Sequence, residues 1–274
     1  MLARIELGGR DLGIDLSRPV SVAVPLDFRG AQPRHFGAPR ASSRPFEAPG
    51  FAGSVERGAS CNCESVTLIP HCNGTHTECV GHLTREPLDA HRVIPPGLLP
   101  ALLVSVAAEG APVAGEDSEP LPLAGDRLIT RRALERAWSA AVPFEPQALL
   151  VRTLPNTRDK LTHDYSGETP PYLTRQAAEL LVRRGIRHLV VDVPSIDRAH
   201  DEGRLTAHRV FFGLPPRSVA LGAAARPDAT VTELAFMPDE LADGAYFLEL
   251  QAPALGGDAV ASRPLLYRLT ERPS

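Results

Sequence analysis

A capped amphipathic helix followed at once by an apolar strand is the feature that most restricts the possible folds of this chain. Thr174 can cap a helix whose apolar stripe runs from Ala177 to Val182. Gly185 would end this helix in a left-handed conformation. The next segment, 188–193, is apolar except for one histidine and one aspartate, which is typical of a strand buried on both faces. We therefore predict an α/β fold with a mixed sheet.

The rest of the chain adds strands and one more helix to this unit. Thr130 can cap a helix over Arg131 to Ala141, and the Pro- and Gly-rich segment from Asp27 to Gly53 is predicted to be a long functional or mobile loop. No internal repeat or domain boundary is visible, so we expect one domain over residues 1–274. The predicted strands are 3–7 and 12–16 (as a hairpin), 20–24, 65–69, 101–106, 148–152, 231–236 and 246–250.

Composition and charge exclude several classes of protein. A formal net charge of -4 argues against nucleic acid or an anionic membrane as the main partner. No segment approaches the roughly eighteen uninterrupted apolar residues of a membrane span. The first residues lack the charged-then-apolar pattern of a signal peptide. Four cysteines in 274 residues do not form a disulfide framework, so we expect a cytoplasmic protein.

The segment 71–82 points to metal chemistry, because it combines three histidines, one glutamate and two cysteines. Imidazole nitrogen and carboxylate oxygen bind divalent zinc or manganese well. His76 and Glu78 are two positions apart, so an extended backbone would place both side chains on one face. His82 could join them if the chain bends at Gly81. The sequence therefore predicts a divalent metal site here.

The cysteines allow two other interpretations. Cys61 and Cys63 are separated by one residue, which makes a poor ligand pair, and we predict that they are small residues in a strand. Cys72 or Cys79 could instead act as a nucleophile paired with a nearby histidine.

Polar residues after the apolar strand offer further ligands. The segment 192–197 carries two carboxylates and a serine, and 200–202 is interpreted as a solvated loop. His208 follows it, and its role stays open from spacing alone. Glu233 lies in an apolar segment, where a buried carboxylate requires a cation or a strong donor. The alternative for Glu233 is an edge strand on which the carboxylate faces water.

The segments 73–82 and 192–197, followed by His208, resemble in order the cyclase family of metal-dependent hydrolases, which includes bacterial kynurenine formamidases and isatin hydrolase. The core motif of that family reads His-x-Gly-Thr-His-x-Asp-x-Pro-x-His. The resemblance extends from about Val20 to Leu266. It implies a swivelling β/β/α fold, a homodimer or homotetramer, and a small-molecule amide or lactam substrate.

The resemblance also implies roles for individual residues. His76 would be a metal ligand, and Glu78 stands where the family has an aspartate ligand that often bridges two metals. His82 matches the histidine that donates and accepts a proton. His208 and Glu233 match the later ligands, so that one or two zinc or manganese ions would be bound.

Three departures from the family motif suggest a distinct branch. A gapless match places Cys72 at the first histidine ligand, whereas a one-residue bulge would place His71 there. Both alternatives stay open, with His71 favoured. Glu78 is one methylene longer than the family aspartate, and the segment 79–81 lacks the family proline.

The resulting hypothesis is a hydrolase that cleaves an amide or cyclic amide with metal-activated water. His82 would move the proton, Thr75 would support a carboxylate ligand, and the loop 27–53 would cover the substrate. The alternative is a non-catalytic or weakly metal-binding homologue that acts as a small-molecule binding protein. The combined loss of the first histidine and of the family aspartate favours this alternative.

Overall fold

A mixed sheet of eleven strands forms the centre of this computed structural model, which describes residues 1–138 and 142–270. The described helices are α1 (Ala90–Val93), α2 (Arg131–Ala137), α3 (Arg175–Arg183) and α4 (Thr206–Phe212). The described strands are β1 (Leu2–Leu7), β2 (Arg10–Asp15), β3 (Val20–Ser21), β4 (Ser42–Pro45), β5 (Glu47–Ala48), β6 (Phe51–Ala52), β7 (Glu64–Thr67), β8 (His76–Cys79), β9 (Leu99–Ala107), β10 (Glu109–Gly110), β11 (Arg127–Ile129), β12 (Ala148–Leu154), β13 (Tyr172–Leu173), β14 (His188–Val191), β15 (Thr230–Glu233), β16 (Gly244–Gln251), β17 (Ala259–Ala261) and β18 (Arg263–Thr270).

The sheet has a parallel centre and antiparallel flanks. Its order is β1-β2-β18-β16-β9-β12-β14-β15-β8-β17, and β3 pairs with β18. Strands β9, β12, β14 and β15 are parallel, whereas β16 and β8 pair antiparallel on either side of them. The predicted α/β fold with a mixed sheet is therefore confirmed.

The central strands are apolar because both of their faces are buried. Along β9, Leu102 and Val104 pack in the core under the helices, whereas Leu103 packs in a second core on the other face. Burying each such side chain stabilises the fold by about 1.5–3 kcal/mol. None of the helices in 1–138 and 142–270 is long and apolar enough to cross a membrane.

Both predicted helix caps are present, and one carboxylate joins them. The Thr130 hydroxyl accepts a hydrogen bond from the Ala133 amide, and Thr174 caps α3 in the same way. Thr174 also donates to Glu116, and the Glu116 carboxylate accepts from the first amide of α2 at Arg131. The helix predicted to reach Ala141 extends to Ala137, while positions 139–141 lie outside the described residues.

Three local predictions need correction. Cys61 and Cys63 are exposed in the irregular segment before β7 rather than in a strand, because the paired residues begin at Glu64. The segment 27–53 is not wholly irregular, since it contains β4, β5 and β6. The predicted strand over 65–69 ends early, as β7, and a 3-10 turn follows it. The strand over 259–261 and the long β18 were not predicted.

Replacing Thr174 by alanine removes the α3 cap and one donor to Glu116. We expect Thr174→Ala to lower the free energy of unfolding by about 1–2 kcal/mol, measured by urea denaturation. The matched control is Thr157→Ala, because Thr157 precedes a 3-10 helix without making a side-chain cap. Equal unfolding free energies for the two variants would contradict the capping role.

Candidate metal centre

The antiparallel pairing of β8 with β15 brings together side chains that are distant in sequence. His76 lies opposite Glu233, and Glu78 lies opposite Val231. Because alternate residues of a strand share a face, His76, Glu78 and Glu233 point to the same side of the sheet. On the reverse side the Thr77 hydroxyl is 2.7 Å from another threonine hydroxyl on β15. The predicted extended backbone at His76 and Glu78 is therefore present.

The turn before β8 is fixed by backbone geometry and by a threonine. Gly74 has a φ of 84°, a left-handed conformation in which any other side chain would be strained. The Thr75 hydroxyl donates to the Leu234 carbonyl at 2.6 Å and accepts from the Val24 amide at 2.8 Å. It does not contact a carboxylate ligand, so the predicted support role of Thr75 is wrong. Its hydroxyl instead ties β8 to the segment after β15.

Helix α4 delivers His208 to the same face, and Asp197 holds it there. One Asp197 oxygen accepts from the Ala207 amide at 2.7 Å, and the other accepts from the His208 amide at 3.1 Å. That second oxygen is also 2.6 Å from His208 Nδ1. Since an ionised carboxylate only accepts, Nδ1 carries a proton, and Nε2 is the nitrogen that presents a lone pair when the ring is neutral. This Nε2 is 2.7 Å from Glu78 Oε1 and 3.5 Å from Glu233 Oε1.

Glu233 is buried in the interior of the sheet. It is 3% exposed, between β14 and β8, so the alternative of an edge carboxylate facing water is wrong. Its Oε1 accepts from the Ile196 amide at 2.7 Å. Its Oε2 lies 3.4 Å from His76 Nε2. The carbonyl of Gly74 is 3.1 Å from His76 Nδ1, so that Nε2 is also the nitrogen with the lone pair when this ring is neutral.

The donor atoms fit a divalent cation. Lone pairs of neutral imidazoles facing carboxylate oxygens repel one another unless a cation lies among them. Two sets of residues each offer three ligand atoms that lie within 4.8 Å of one another. One set is His76, Glu78 and Glu233, and the other is His71, Glu78 and His82. Among these residues and His208, four buried atoms have no hydrogen-bond partner within the protein, namely His71 Nε2, His76 Nε2, Glu78 Oε1 and His208 Nε2.

The close packing of these ionisable side chains shifts their pKa values. Burial disfavours the imidazolium form of His208, but the Glu78 charge and the Asp197 hydrogen bond outweigh it and raise the pKa of His208 well above its usual value. Burial opposes ionisation of Glu233, yet hydrogen bonds and charge from His208 and His76 lower its pKa. The carboxylates therefore stay ionised and attract positive charge.

His71 and His82 form the more open side of the site. Their rings stack with centroids 4.4 Å apart. His71 Nε2 is 3.4 Å from Glu78 Oε2 and 3.0 Å from Asp258 Oδ2. His82 Nδ1 is 3.2 Å from the same Asp258 oxygen. All six residues selected from the sequence, together with Asp258, therefore lie in one cluster.

Two neighbours of the site were missed in the sequence, and a third was given another role. Asp258 follows two glycines and gave no signal, because only the pairing of β17 with β8 brings it near His82. Asp197 was noted as a ligand candidate, but it supports His208 instead. His35 is 1% exposed, and neither of its ring nitrogens has a hydrogen-bond partner. Burial lowers its pKa, and the nearby negative charge of Glu233 opposes this shift. A buried histidine in a polar loop carries no periodic signal.

The other candidates lie outside the ligand cluster. Asp192 binds Lys160 at 2.8 Å and caps the Thr153 amide, so it supports the sheet. His200 and Glu202 are exposed, as predicted for a loop, whereas Asp201 is buried and accepts hydrogen bonds from backbone amides of its own turn.

Cys72 and Cys79 lie in environments that favour the thiol over the thiolate. Burial raises the pKa of Cys79 to about 11, and its thiol donates to the Leu88 carbonyl at 3.3 Å. Burial and the Glu233 charge raise the pKa of Cys72. Because thiolate is the nucleophilic form, these environments disfavour the cysteine nucleophile.

The segment 27–53 lies against the turn that carries the metal motif. The His35 amide donates to the Cys72 carbonyl at 3.1 Å, and the Asn73 side chain donates to the Pro39 carbonyl at 3.0 Å. Farther out, Arg34 pairs with Asp164 at 2.5 Å. The segment therefore lies at the metal motif, although most of it is exposed.

Comparisons with known proteins identify the family and the fold. The model of the Cyclase family matches residues 14–198. Isatin hydrolase A from Labrenzia aggregata, solved with benzyl benzoate, is 17% identical over 91% of this chain and 93% of its own, with a TM-score of 0.58. A predicted metal-dependent hydrolase from Bacillus stearothermophilus is 16% identical over 91% of this chain and 98% of its own, with a TM-score of 0.55. Isatin hydrolase A from Ralstonia solanacearum is 16% identical over 91% of both chains, with a TM-score of 0.54. No curated protein matches the sequence.

Removing the charge of Glu233 tests whether this residue binds a cation. We expect Glu233→Gln to lower zinc affinity about ten- to hundredfold, because the near-isosteric amide keeps the Ile196 contact but loses the negative charge. Competition with a chelator measures the affinity, and circular dichroism checks the fold. Glu135→Gln, at an exposed position of α2, is the control. Equal zinc affinity in the two folded variants would remove Glu233 from the ligand set.

Proposed function

This chain belongs to the Cyclase family, and on that premise we propose that it is a metal-dependent hydrolase that cleaves an amide or cyclic amide of a small molecule. The observation that carries the proposal is the convergence of three buried imidazole nitrogens and one carboxylate oxygen that lack hydrogen-bond partners. A protein that only bound an apolar small molecule would gain nothing from leaving these atoms unpaired.

The proposed ligands of the divalent ion or ions, zinc or manganese, are His71, His76, Glu78, His208 and Glu233. When bound, such an ion polarises a carbonyl and lowers the pKa of water toward neutrality. The chain's own contribution is to hold two imidazoles in a fixed tautomer. The Gly74 carbonyl faces Nδ1 of His76, and the Asp197 carboxylate faces Nδ1 of His208, so each oxygen fixes the tautomer of one ring.

His82 is the proposed proton-transfer group. It lies on the 3-10 turn 80–83, immediately after β8, and its ring centroid is 5.8 Å from that of His208. Its side chain is 29% exposed, so it lies where water and a substrate can reach it. In the proposed reaction it takes a proton from the attacking water and returns it to the leaving nitrogen.

The substrate class rests on the fold relatives and on the covering segment. Two relatives of the same fold are isatin hydrolases, and a third isatin hydrolase was solved with the product analogue thioisatinate. In this chain, His35 offers a substrate both a donor and an acceptor from a buried position beside Cys72. We propose that the segment 27–53 covers an amide or lactam through this histidine, in a protein that acts as a homodimer or homotetramer in the cytoplasm.

The first expectation concerns metal and turnover. Protein produced in medium supplemented with zinc and manganese should retain a divalent metal, measured by elemental analysis, and chelation should abolish hydrolysis. The assay uses isatin, N-formylanilines and simple lactones, so that lactam, formamide and ester hydrolysis are compared directly. Retained metal without turnover of the panel would favour the small-molecule binding protein instead. Protein that holds no divalent metal would contradict the metal-dependent hydrolase.

The second expectation separates ligand from proton carrier. His76→Ala should lose metal, because it removes a buried ligand nitrogen next to Glu233. His82→Ala should retain at least one ion and lose turnover by about 10²–10⁴-fold. His200→Ala, at an exposed histidine outside the cluster, is the control for both readouts. Near-normal turnover of an accepted substrate by His82→Ala would show that another group transfers the proton.

A further inference from the structure

We propose that Asp258 is the positioning residue of His82, an inference that rests on the proposed hydrolase function. Asp258 immediately precedes β17, which pairs antiparallel with β8. Its backbone carbonyl accepts from the Cys79 amide at 3.0 Å, at the end of β8. The sheet therefore fixes the position of the aspartate backbone relative to the turn that carries the histidine.

The side chain of Asp258 completes this link. Its Oδ2 is 3.2 Å from His82 Nδ1, within hydrogen-bonding geometry. An ionised carboxylate accepts only, so Nδ1 donates the proton and His82 Nε2 keeps a lone pair. This is the tautomer that a proton acceptor needs, and the orientation of a base by a third group is the arrangement expected for acid–base catalysis.

Gly81 makes the close approach possible. A Cβ built at this position would lie 2.6 Å from the Leu88 carbonyl oxygen and 3.3 Å from the Asp258 Cβ. The first of these contacts is with backbone and could not be relieved by a side-chain rotation. Glycine therefore lets the turn carrying His82 pack against the Leu88 backbone, with Asp258 in close contact beside it. This is the part of the motif in which the chain departs from the family pattern.

His71 restricts the ring of His82 from the other side. The two rings stack at 4.4 Å with an interplanar angle of 30°. His71 Nε2 is also 3.0 Å from Asp258 Oδ2, but outside hydrogen-bonding geometry. An aspartate beside a proposed ligand could itself bind metal, so the test must separate an orienting carboxylate from a ligand.

Asp258 does not accept or donate a proton in the proposed reaction. His82 Nε2 takes one proton from the attacking water as the new carbon–oxygen bond forms, and the imidazolium then donates it to the leaving nitrogen as the carbon–nitrogen bond breaks. Throughout, Asp258 stays ionised and stabilises the imidazolium through Nδ1. Its contribution therefore falls on the chemical step and not on substrate binding.

The test compares Asp258→Ala and the isosteric Asp258→Asn with Asp11→Asn, at an exposed position on β2. Zinc content is measured first, and ¹⁵N NMR of histidine-labelled protein then reads the His82 tautomer at a pH where the ring is neutral. We expect unchanged zinc content, an Nδ1–H tautomer in the parent and the control, and a shift toward Nε2–H in Asp258→Ala. On an accepted amide, kcat should fall about ten- to thousandfold in both Asp258 variants with little change in KM.

Each opposite result overturns the inference in a distinct way. Loss of zinc from the Asp258 variants would make the aspartate a ligand. An unchanged His82 tautomer in Asp258→Ala would show that the carboxylate does not orient the ring. A rise in KM at constant kcat would assign it to substrate binding. If the parent protein hydrolyses none of the test substrates, the proposed function fails. The tautomer measurement still decides whether Asp258 orients the His82 ring.

Discussion

Two glutamates buried side by side are the constraint on which the site depends. Glu78 and Glu233 are 1% and 3% exposed, and each faces imidazole nitrogens rather than water. Two carboxylates in a low-dielectric interior repel each other and lose hydration, a cost of several kcal/mol per ion. Only positive charge offsets it, whether from protons on the histidines or from a cation among them. The Asp197 carboxylate and the Gly74 carbonyl accept from Nδ1 of His208 and His76, which leaves Nε2 of each ring as the atom that holds either a proton or the metal.

Glu78 has the central position among the proposed ligands. One of its oxygens faces His208 and the other faces His71, so it belongs to both groups of ligand atoms. The extra methylene relative to aspartate lengthens the reach of its carboxylate. The same segment replaces the family proline by Cys79-Val80-Gly81, and Gly81 then accommodates Asp258. The departures from the motif thus fall together in space, around one turn and its neighbour.

Much of this fold could be predicted from the sequence, because the local signals for helices and strands agree with the way these elements pack. The caps at Thr130 and Thr174 and the apolar strand before Asp192 formed as predicted, since propensity and burial favour the same structure there. The residues of the predicted site also converge. Asp258 could not be found this way, because its proximity to His82 follows from a strand pairing between distant segments. Thr75 shows the converse error, since a residue next to a ligand served the backbone instead.

The pairing of β8 has a consequence for how the chain is synthesised. Strand β8 ends at residue 79 and its first neighbour, β15, begins at residue 230, so 150 residues lie between them. The other neighbour, β17, follows still later. During translation from the N-terminus, the segment with the greatest density of metal-binding side chains therefore emerges long before the strands that enclose it. Such long-range pairing folds slowly, and the nascent β8 exposes unpaired strand edges while the ribosome completes the sheet. A chain arrested before residue 230 would carry the histidines without the enclosure that gives them a defined geometry.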